Sequence, residues 1–387
     1  MKILVICQYY YPEPFRVNDY CEELVKRGHQ VTVITGTPNY PMGKIYAGYD
    51  NGKKSDEVIN GVTVHRCPIV GRKTGALHRF INYYDFVFKS KKYVSKLDDS
   101  FDIVFVNQLS PVMMAEAGVK YKKKHGKKLV LYCLDLWPES LVAGGIKRGS
   151  AIHKIFGLVS KRIYKEADKI LITSKSFADY FKSEFGIADT VYMPQYAEAI
   201  FSPEICKKKE NDTVDLMFAG NVGAAQSVKT IVEAARLTKE ETTLHWHIVG
   251  DGSELENLKK QAAGLTNITF NGRLPLEKMP EYYSMADAMI VTMEKNPVLS
   301  LTLPGKVQTY MAAGKPIVGA IDGETKLVIE EAKCGYVCGA DDATKLAHLA
   351  KAFKPNEEMC KNARCFYEEH FAKNNFVDIL EKQLRKH

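Results

Sequence analysis

Short runs of apolar residues alternate with longer amphipathic stretches through the first half of the chain. In the longer stretches apolar residues recur every three or four positions, which predicts helices over 17–27, 111–124, 153–166 and 176–184. The short runs have the length of buried strands, and they cover 2–6, 31–35, 63–66, 103–107, 128–134, 169–174 and 190–194. This alternation predicts a parallel sheet covered by helices on both faces.

The same pattern starts again after a polar segment at 201–213, which predicts a linker. The second set of strand-like runs covers 214–222, 242–252, 268–274, 288–293, 315–321 and 335–338. We therefore predict two doubly wound, Rossmann-like α/β domains, 1–204 and 205–367, followed by a helix at 368–387 that crosses back to the first domain. Ligands of such sheets bind at the ends of the strands, so we expect the deepest cleft between the domains.

Composition narrows the class of protein. A chain of 387 residues is too long for one ordinary core, and 45% hydrophobic with 26% charged residues is typical of globular proteins. The formal charge of +8 favours a partner with phosphates, which is a nucleotide, a nucleic acid or an anionic membrane face. A basic soluble enzyme without such a partner is the alternative.

The cysteines and the termini indicate the compartment. Nine cysteines are scattered without a CxxC pair or zinc spacing, which favours the reducing cytosol. The N-terminal apolar run is too short for a signal peptide, and no run approaches the ~20 apolar residues of a membrane-spanning helix. We expect a protein that does not cross a membrane, although it can lie on one.

A turn before a short helix is the first candidate site. Pro304-Gly305-Lys306 opens a helix, and the first N–H groups of a helix and its dipole favour an anion. Gly305 allows close approach of the backbone, and Lys306 adds a positive charge. The alternative is an ordinary helix start with a solvated lysine. The first strand lacks the G-x-G-x-x-G of nicotinamide-binding proteins, and the chain has no Walker A loop, HExxH or metal-holding D-x-D.

Six motifs occur in an order that resembles a known family. They are KILVICQYYYPEPF, KRGHQVTVITGTPNYP, DLWPES, MFAGNVG, IVGDGSE and PGKVQTYMAAGKPIVGAIDGET. Together they resemble the retaining family-4 glycosyltransferases of the GT-B fold, nearest the branch that builds capsule and O-antigen repeats and includes N-acetylfucosamine transferases. The resemblance covers essentially the whole chain. It implies two Rossmann-like domains that face a central cleft.

The resemblance implies that the second domain binds a nucleotide sugar. Its diphosphate would meet Pro304, Gly305 and Lys306, and the turn of Gly220, Asn221 and Gly223 would add an anion-binding nest. Gly250 would border the same cleft, or it forms only a tight turn before a helix. Arg273 lies in the segment that would pass the nucleobase.

Two departures from the family pattern concern this donor site. The Glu-x7-Glu carboxylates that hold the donor sugar and ribose are replaced by Leu301 and Thr309. Glu324 is a candidate substitute for the ribose contact, and Ser300 or Thr302 for the sugar. The basic pair that neutralises the diphosphate is replaced by Asn221 and Gln226, so we expect Lys306 and Arg273 to compensate.

The catalytic candidates are Asp135 and Glu139 of DLWPES. The resemblance places a residue such as Asp135 near the anomeric carbon, where a carboxylate stabilises an oxocarbenium-like state or orients the acceptor hydroxyl. The alternative is that Asp135 caps the following helix. Retention is implied to follow front-face attack, in which the leaving phosphate oxygen takes the acceptor proton and no metal is needed.

The acceptor side is predicted from charge and amphipathicity. Arg16 is a candidate ligand of an acceptor phosphate, or a solvated charge at a helix start. Segment 72–94 carries an apolar stripe flanked by cations, which include Arg72 and Arg79, and the stripe consists of Leu77, Phe80, Ile81, Tyr84 and Phe88. Such a helix can lie in a membrane interface, where anionic headgroups attract it, or its stripe can pack on the sheet.

These interpretations combine into one predicted function. We expect a hexosyl or N-acetylhexosaminyl transferase that moves an N-acetylhexosamine or a deoxy relative from a UDP-sugar to a polyprenyl-diphosphate-linked or other surface-glycan acceptor. It would be cytoplasmic, peripheral at the inner face of the cell membrane, and would need neither a metal cofactor nor a nucleic acid. The alternatives are a UDP-sugar 2-epimerase of the same fold and a non-catalytic nucleotide-sugar-binding or scaffold homologue.

Overall fold

The computed structural model describes residues 1–73, 75–208 and 211–385. Residues 209 and 210 of the predicted linker and residues 386 and 387 of the predicted C-terminal helix lie outside the described residues. The chain forms two compact units: Met1–Met193 joined by Val377–His387, and Pro194–Phe376. Among the described residues, no helix combines the length and the hydrophobicity of a membrane-spanning segment.

The sheet of the first unit has eight strands. In chain order they are β1 Lys2–Ile6, β2 Gln30–Gly36, β3 Asp56–Ile59, β4 Val62–Cys67, β5 Ile103–Gln108, β6 Lys128–Cys133, β7 Lys169–Ile172 and β8 Thr190–Tyr192. Their spatial order is β3-β4-β2-β1-β5-β6-β7-β8, and every pair is parallel except β3–β4. The seven strands predicted in this unit are confirmed, and the central strands β1, β5 and β6 are almost entirely buried because both faces of a parallel sheet are covered.

Strand β3 was missed because it is a half-exposed edge strand without an apolar run. It pairs with β4 through the two-residue turn Asn60-Gly61, in which both residues have positive φ. An Asn-Gly dipeptide is a strong hairpin signal, so the sequence did contain the information.

Six helices connect these strands: α1 Arg16–Lys26, α2 Ala76–Val94, α3 Glu116–His125, α4 Glu139–Ala143, α5 Ala151–Glu166 and α6 Ser176–Tyr180. The strand order places the connections through α2, α3 and α5 in one direction along the sheet, and right-handed crossovers therefore put these helices on the same face. The predicted helix at 111–124 begins with a 3-10 turn, Val112–Ala115, before α3. The predicted helix at 176–184 is α6 followed by a π-helical turn, Phe181–Phe185.

The second unit contains a six-stranded parallel sheet. Its strands are β9 Val214–Ala219, β10 Leu244–Val249, β11 Ile268–Gly272, β12 Ala288–Thr292, β13 Ile317–Ala320 and β14 Gly335–Cys338. The spatial order is β11-β10-β9-β12-β13-β14, and the second set of predicted strands is confirmed. The predicted fold class, α/β with two doubly wound Rossmann-like domains, is also confirmed.

Helices of the second unit cover both faces of its sheet. They are α7 Val228–Leu237, α8 Leu255–Gln261, α9 Met279–Tyr283, α10 Gly305–Ala312, α11 Glu324–Glu331, α12 Ala343–Ala352 and α13 Glu357–His370, and the last helix of the chain is α14 Lys373–Arg385. The buried core centres on Phe218, Trp246 and Ile290. Burial of this apolar surface is the main stabilising contribution to such a unit.

The two units differ from the predicted domains in two short segments, residues 194–204 and the start of the last helix. Residues 194–204 belong to the second unit, since Phe201 packs against Tyr283 with ring centroids 4.9 Å apart. Helix α14 contributes to both units, and its residues from Val377 onward lie with the first. There the Arg27 guanidinium lies 2.6 Å from the Asp378 carboxylate.

Candidate functional site

Two glycine turns meet at the carboxyl end of the second sheet. Gly220 follows β9 and Gly250 follows β10, with φ of 148° and 146°, which side chains rarely adopt. The Gly250 N–H donates to the Gly272 carbonyl at 2.8 Å, so the turn after β10 is fixed to the end of β11. A Cβ atom on Gly250 would lie 1.8 Å from the Gly220 carbonyl oxygen. Only glycine therefore allows these two turns to touch.

Helix α10 begins beside these turns. Pro304 precedes it and Gly305 is its first residue, and in the part of the chain that the structure describes no side chain caps its N-terminus. No atom of the described residues lies within 4 Å of the position that a Cβ atom on Gly305 would take, so there is open space beside the first residue of the helix. The Tyr310 hydroxyl bonds both the N–H and the carbonyl of Ala219, each at 3.0 Å, and fixes α10 to the end of β9. A helix N-terminus held in this way favours an anion.

Lys306 supplies a buried positive charge at this point. Its Nζ atom is buried and has no hydrogen-bond partner among the described residues. It lies 3.7 Å from the centroid of the Phe218 ring and 2.8 Å from the position that a Cβ atom on Gly220 would take. Burial lowers the pKa of the Lys306 ammonium to about 7. The alternative of a solvated lysine is therefore wrong, and the structure brings Gly220, Gly305 and Lys306 together.

The predicted nest after β9 is held by polar side chains. The Asn221 Nδ2 donates to the Gln226 Oε1 at 2.9 Å, so the two residues that replace the family's basic pair bond each other. A Cβ atom on Gly223 would lie 2.8 Å from that Nδ2, so a larger residue there would have to displace the Asn221 side chain. Asn221 itself is exposed.

Ser227 and Asp341 form a clamp beside this turn, which no sequence motif indicated. Their φ angles are 44° and 61°, so both are left-handed residues other than glycine. The Ser227 hydroxyl donates to Asp341 Oδ1 at 2.5 Å, and the Lys295 N–H donates to Asp341 Oδ2 at 2.8 Å. One carboxylate thus joins the loops after β9, β12 and β14. The pairing is long-range, and the sequence offered no signal for it.

The candidate ribose contacts lie around the start of α11. Gly323 has φ of 68°, and a Cβ atom on it would lie 2.0 Å from the Ser300 carbonyl oxygen. The Thr325 hydroxyl donates to the Thr302 carbonyl at 3.1 Å. The structure therefore brings the buried Glu324, the first residue of α11, to the loop that contains Ser300 and Thr302.

Two further donor-site candidates, Thr309 and Arg273, lie at the edges of the region around Gly220, Gly250 and Gly305. The Thr309 hydroxyl donates to the Gly305 carbonyl at 3.2 Å, one turn into α10. Arg273 follows β11 directly and is exposed. Its neighbour Gly272 accepts the Gly250 bond, so Arg273 extends from the same turn region.

In the first unit, Asp135 follows β6, and its carboxylate contacts the loop after β5. Its Oδ2 accepts a hydrogen bond from the Ser110 N–H at 2.8 Å, and burial raises its pKa. The alternative that it caps a helix is wrong, because α4 begins at Glu139 and follows Pro138. The Trp137 indole donates to the Ser110 hydroxyl at 2.9 Å and steadies the same loop.

Glu139 is almost fully buried at the start of α4. Its Oε1 accepts from the Tyr180 hydroxyl at 2.9 Å and lies 3.2 Å from an Arg148 nitrogen. Its Oε2 is buried without a hydrogen-bond partner among the described residues. Tyr180 and Arg148 were not predicted, since only the folded chain brings their side chains to Glu139. Glu139 is thus held in a polar network beneath the DLWPES turn.

The loop before Arg16 is organised by a second buried carboxylate. Arg16 is the first residue of α1 and is half-buried. The Glu13 Oε1 accepts from the N–H groups of Asn39 at 2.8 Å and Tyr40 at 2.6 Å. Burial raises the pKa of Glu13 to about 7 against the lowering effect of these bonds. The interaction joins the loops after β1 and β2, and no local sequence pattern indicated it.

Helix α2 turns its predicted apolar stripe outward. Leu77 and Phe88 are each 69% exposed and Phe80 is 50% exposed, whereas Phe86 is buried. The alternative that the stripe packs on the sheet is therefore wrong. Tyr84 lies along the stripe, with its ring centroid 4.4 Å from that of Phe80.

The two predicted cations differ in their surroundings. Arg79 is exposed on α2. Before the helix, the Arg72 guanidinium lies over the rings of Tyr40 and Tyr83, at 5.7 and 5.8 Å from their centroids. Cation–π contacts of this kind hold Arg72 between Tyr40 of the loop after β2 and Tyr83 of α2.

Comparisons with known proteins identify the family. The family model described as Glycosyltransferase Family 4 matches residues 16–193, and the model described as Glycosyl transferases group 1 matches residues 213–353. Together they cover most of both units. Among the described residues, no group of three or more His, Cys, Asp and Glu is arranged to hold a metal ion. Independence from a metal stays a prediction.

Two relatives illustrate the sequence similarity. A Pseudomonas aeruginosa protein assigned as a glycosyltransferase, WbjE, is 28% identical over 250 residues, or 61% of this chain. The chain spans 60% of the length of that relative. An Escherichia coli protein assigned as a colanic acid biosynthesis glycosyl transferase, WcaI, is 24% identical over 355 residues, which cover 84% of this chain and 85% of the relative.

Solved structures show the same fold at low sequence identity. The sucrose-phosphate synthase of Thermosynechococcus elongatus matches with a TM-score of 0.75 and 16% identity, over 100% of this chain and 98% of that one. Anabaena HepE in complex with UDP-glucose matches with a TM-score of 0.71 and 15% identity, over 100% of both chains.

Proposed function

Because the chain is a glycosyltransferase of the GT-B fold, we propose that it transfers a sugar from a UDP-sugar to a polyprenyl-diphosphate-linked or other surface-glycan acceptor. The sugar is an N-acetylhexosamine or a deoxy relative, and its configuration at carbon 1 is retained. The colanic acid assignment of WcaI and the UDP-glucose complex of HepE belong to those proteins, and they support the choice of acceptor class and nucleotide.

The observation that carries the donor proposal is the unpaired ammonium of Lys306. Burial of an ammonium that has no hydrogen-bond partner disfavours its charged form, and a ligand of opposite charge would restore that form. The open N-terminus of α10 and the touching turns of Gly220 and Gly250 surround this charge. The diphosphate of a nucleotide sugar offers a compact double negative charge for such a site. Lys306 then also stabilises the diphosphate as it leaves.

The proposed chemistry depends on orientation rather than on an enzyme nucleophile. The acceptor hydroxyl attacks carbon 1 on the face from which the UDP leaves, and its proton passes to the departing phosphate oxygen. Asp135 carries the catalytic carboxylate, which faces the developing positive charge of the sugar ring. Glu139 positions the DLWPES turn through Tyr180 and Arg148.

Glu324 is proposed to take over the ribose contact. The family's carboxylate at that place is replaced by Thr309, whose hydroxyl bonds the helix backbone instead. Glu324 lies at the N-terminus of α11, beside the Ser300 loop that leads into α10. A Glu324→Gln variant keeps the side-chain length and tests whether the charge is needed.

The acceptor is proposed to come from the membrane. The exposed stripe of α2, with Phe80 at its centre, would enter the interface of the inner leaflet, and Arg79 would meet its anionic headgroups. This arrangement would place the protein at the inner face of the cell membrane. It explains why large apolar side chains are exposed on an otherwise well-packed unit.

A UDP-release assay tests the proposal. Purified protein is incubated with UDP-N-acetylhexosamines, with and without undecaprenyl-diphosphate monosaccharides, in the presence of EDTA. Release of UDP only with acceptor supports transfer, interconversion of sugars without acceptor indicates an epimerase, and neither reaction indicates a non-catalytic homologue. Lys306→Met should reduce donor affinity and Asp135→Asn should reduce turnover by about 100-fold or more, as for loss of one stabilising group. Lys326→Met, in an exposed ion pair on α11, is the matched control.

A further inference from the structure

A second exposed apolar stripe lies on α5. Ile152, Ile155 and Leu158 follow one another at intervals of three residues on one side of the helix, and they are 50%, 59% and 71% exposed. The helix also has a buried side with Ser160, Ile163 and Tyr164, and the Tyr164 hydroxyl lies 3.8 Å from Sγ of Cys133 in β6. Three neighbouring large apolar side chains on one helix face indicate an interaction surface rather than scattered surface residues.

Helix α5 shares its side of the sheet with α2. Both helices contact the turn Val112–Ala115, and α3 lies between them. The Glu116 carboxylate at the start of α3 contacts Arg162 of α5 and lies 3.5 Å from Nζ of Lys91 in α2. These contacts hold the two helices in one layer, with their exposed stripes directed away from the sheet.

Helix α3 itself sits close to the sheet. A Cβ atom on Gly118 would lie 2.7 Å from a methyl group of Val106, so glycine allows the helix to approach β5 and β6. Most of the N-terminal half of α3 is buried. The outer surface of this layer is therefore formed mainly by α2 and α5.

The two segments that contain these helices are positively charged, as is the run of six lysines at 120–128 in and after α3. Segments 72–94 and 147–166 each contain six Lys or Arg and a single acidic residue. Each segment therefore carries a net charge of +5, whereas the whole chain carries only +8. The rest of the molecule has no net positive charge. A partner for this surface must be both anionic and apolar, which describes an acidic lipid bilayer and not a nucleic acid.

We propose that α5 and α2 together form a two-helix surface that binds an anionic membrane. Ile152, Ile155 and Leu158 insert below the headgroups, and the exposed Lys154 and Lys161 meet the lipid phosphates. This inference deepens the proposed function, since it rests on an acceptor that is embedded in lipid. Two stripes on one rigid unit bind as one, so that each strengthens the binding of the other.

Vesicle sedimentation tests this surface with matched variants. One variant changes α5 by Ile152→Ser, Ile155→Ser and Leu158→Ser, and another changes α2 by Leu77→Ser, Phe80→Ser and Phe88→Ser. The control carries Leu237→Ser and Leu327→Ser, at positions that are equally exposed in the second unit. We expect the wild-type protein to bind vesicles of phosphatidylethanolamine and phosphatidylglycerol, more weakly at high salt, and not to bind phosphatidylcholine vesicles.

The α5 and α2 variants should each lose about tenfold or more in partitioning, and the control should match the wild type. Unchanged circular dichroism and melting temperatures establish that the variants fold. Wild-type binding by the folded α5 variant refutes the two-helix surface. So does a dimer in light scattering that the α5 substitutions dissociate, because the stripe is then a protein interface.

A second readout separates this inference from the proposed function. With a water-soluble, short-chain acceptor the α5 variant should release UDP at the wild-type rate, since no membrane is needed. With the acceptor in phosphatidylglycerol vesicles its rate should fall together with its binding. If neither the wild-type protein nor any variant releases UDP with any acceptor, transfer activity is refuted. The vesicle binding then still decides whether α5 binds the membrane.

Discussion

Donor binding should depend on pH through Lys306. Burial lowers the pKa of its ammonium from 10.5 to about 7 in the protein without ligand. The Nζ atom has no partner among the described residues, and the ring of Phe218 covers one side of it. A diphosphate beside Nζ stabilises the charged form. The protein should therefore take up a proton at Lys306 when a UDP-sugar binds.

The magnitude follows from the two pKa values. Lowering a pKa from 10.5 to about 7 corresponds to ~5 kcal/mol against the charged form, which the diphosphate must offset. If only the charged form binds, affinity falls about tenfold between pH 6 and pH 8, with most of the loss above pH 7. The proton uptake should be roughly one half at pH 7 and about nine-tenths at pH 8.

The effect on stability without ligand has the opposite sign. The folded protein has the lower pKa for Lys306, so the unfolded chain binds more protons between pH 7 and 10.5. This lysine therefore makes the free energy of unfolding increase with pH in that window. Below pH 7 the full cost of the buried charge is present. A donor that neutralises the charge should raise the melting temperature most at low pH.

Isothermal titration calorimetry measures both quantities. Titrations with UDP-N-acetylglucosamine in buffers of different ionisation enthalpy give the number of protons taken up at each pH. Lys306→Arg keeps a charge throughout and should bind with little dependence on pH, whereas Lys306→Met should bind weakly at every pH. Lys326→Met should behave as the wild type. A wild-type affinity that is flat from pH 6 to pH 8, or a slope that persists in Lys306→Arg, would falsify the assignment of the proton to Lys306.

Three further predictions concern the donor-site scaffold. Gly250→Ala places a Cβ atom against the Gly220 carbonyl and should lower the melting temperature by about 8 °C or more, whereas Gly264→Ala, which meets no atom within 4 Å, should cost ~1 kcal/mol. Tyr310→Phe leaves both backbone groups of Ala219 without the hydroxyl and should cost about 1–3 kcal/mol in chemical denaturation. Asp341→Ala should raise the KM for the UDP-sugar by a larger factor than it changes kcat. Asp341→Asn keeps one acceptor oxygen, so its KM should lie between those of the wild type and Asp341→Ala. An equal increase of KM in both variants contradicts a positioning role for Asp341.

The positions of the strands along the chain could be predicted because most of the parallel strands are nearly continuous apolar runs. All strands of the second sheet and seven of the eight in the first were found in this way. Strand β3 lacked such a run, since an edge strand exposes half of its residues. Its turn residues, Asn60-Gly61, were the better signal. Local chemistry thus identified the elements, and right-handed crossovers then fixed the side of the sheet on which each helix lies.

The donor site was predictable in its backbone but not in its side chains. The Gly305 turn is a local feature, and the sequence indicated an anion at that place. That Phe218 covers the Lys306 ammonium could not be predicted, because these residues meet only when α10 packs on the end of β9. The clamp between Ser227 and Asp341 has the same origin, with 114 positions between its partners.

The orientation of α2 shows why periodicity alone cannot place a helix face. Apolar residues occur on both sides of this helix, so the stripe with Phe80 and the side with Phe86 were equally able to meet the sheet. The deciding group is Asn82, which is fully buried, where its Oδ1 accepts from the Gln8 amide at 2.9 Å and its Nδ2 donates to the Val70 carbonyl at 2.6 Å. A buried amide that loses these partners costs more than one buried methyl group gains, so the hydrogen bonds fix the rotation of the helix. Asn82→Leu should therefore destabilise the first unit although it adds apolar surface, and an increase in stability would show that packing alone sets the orientation.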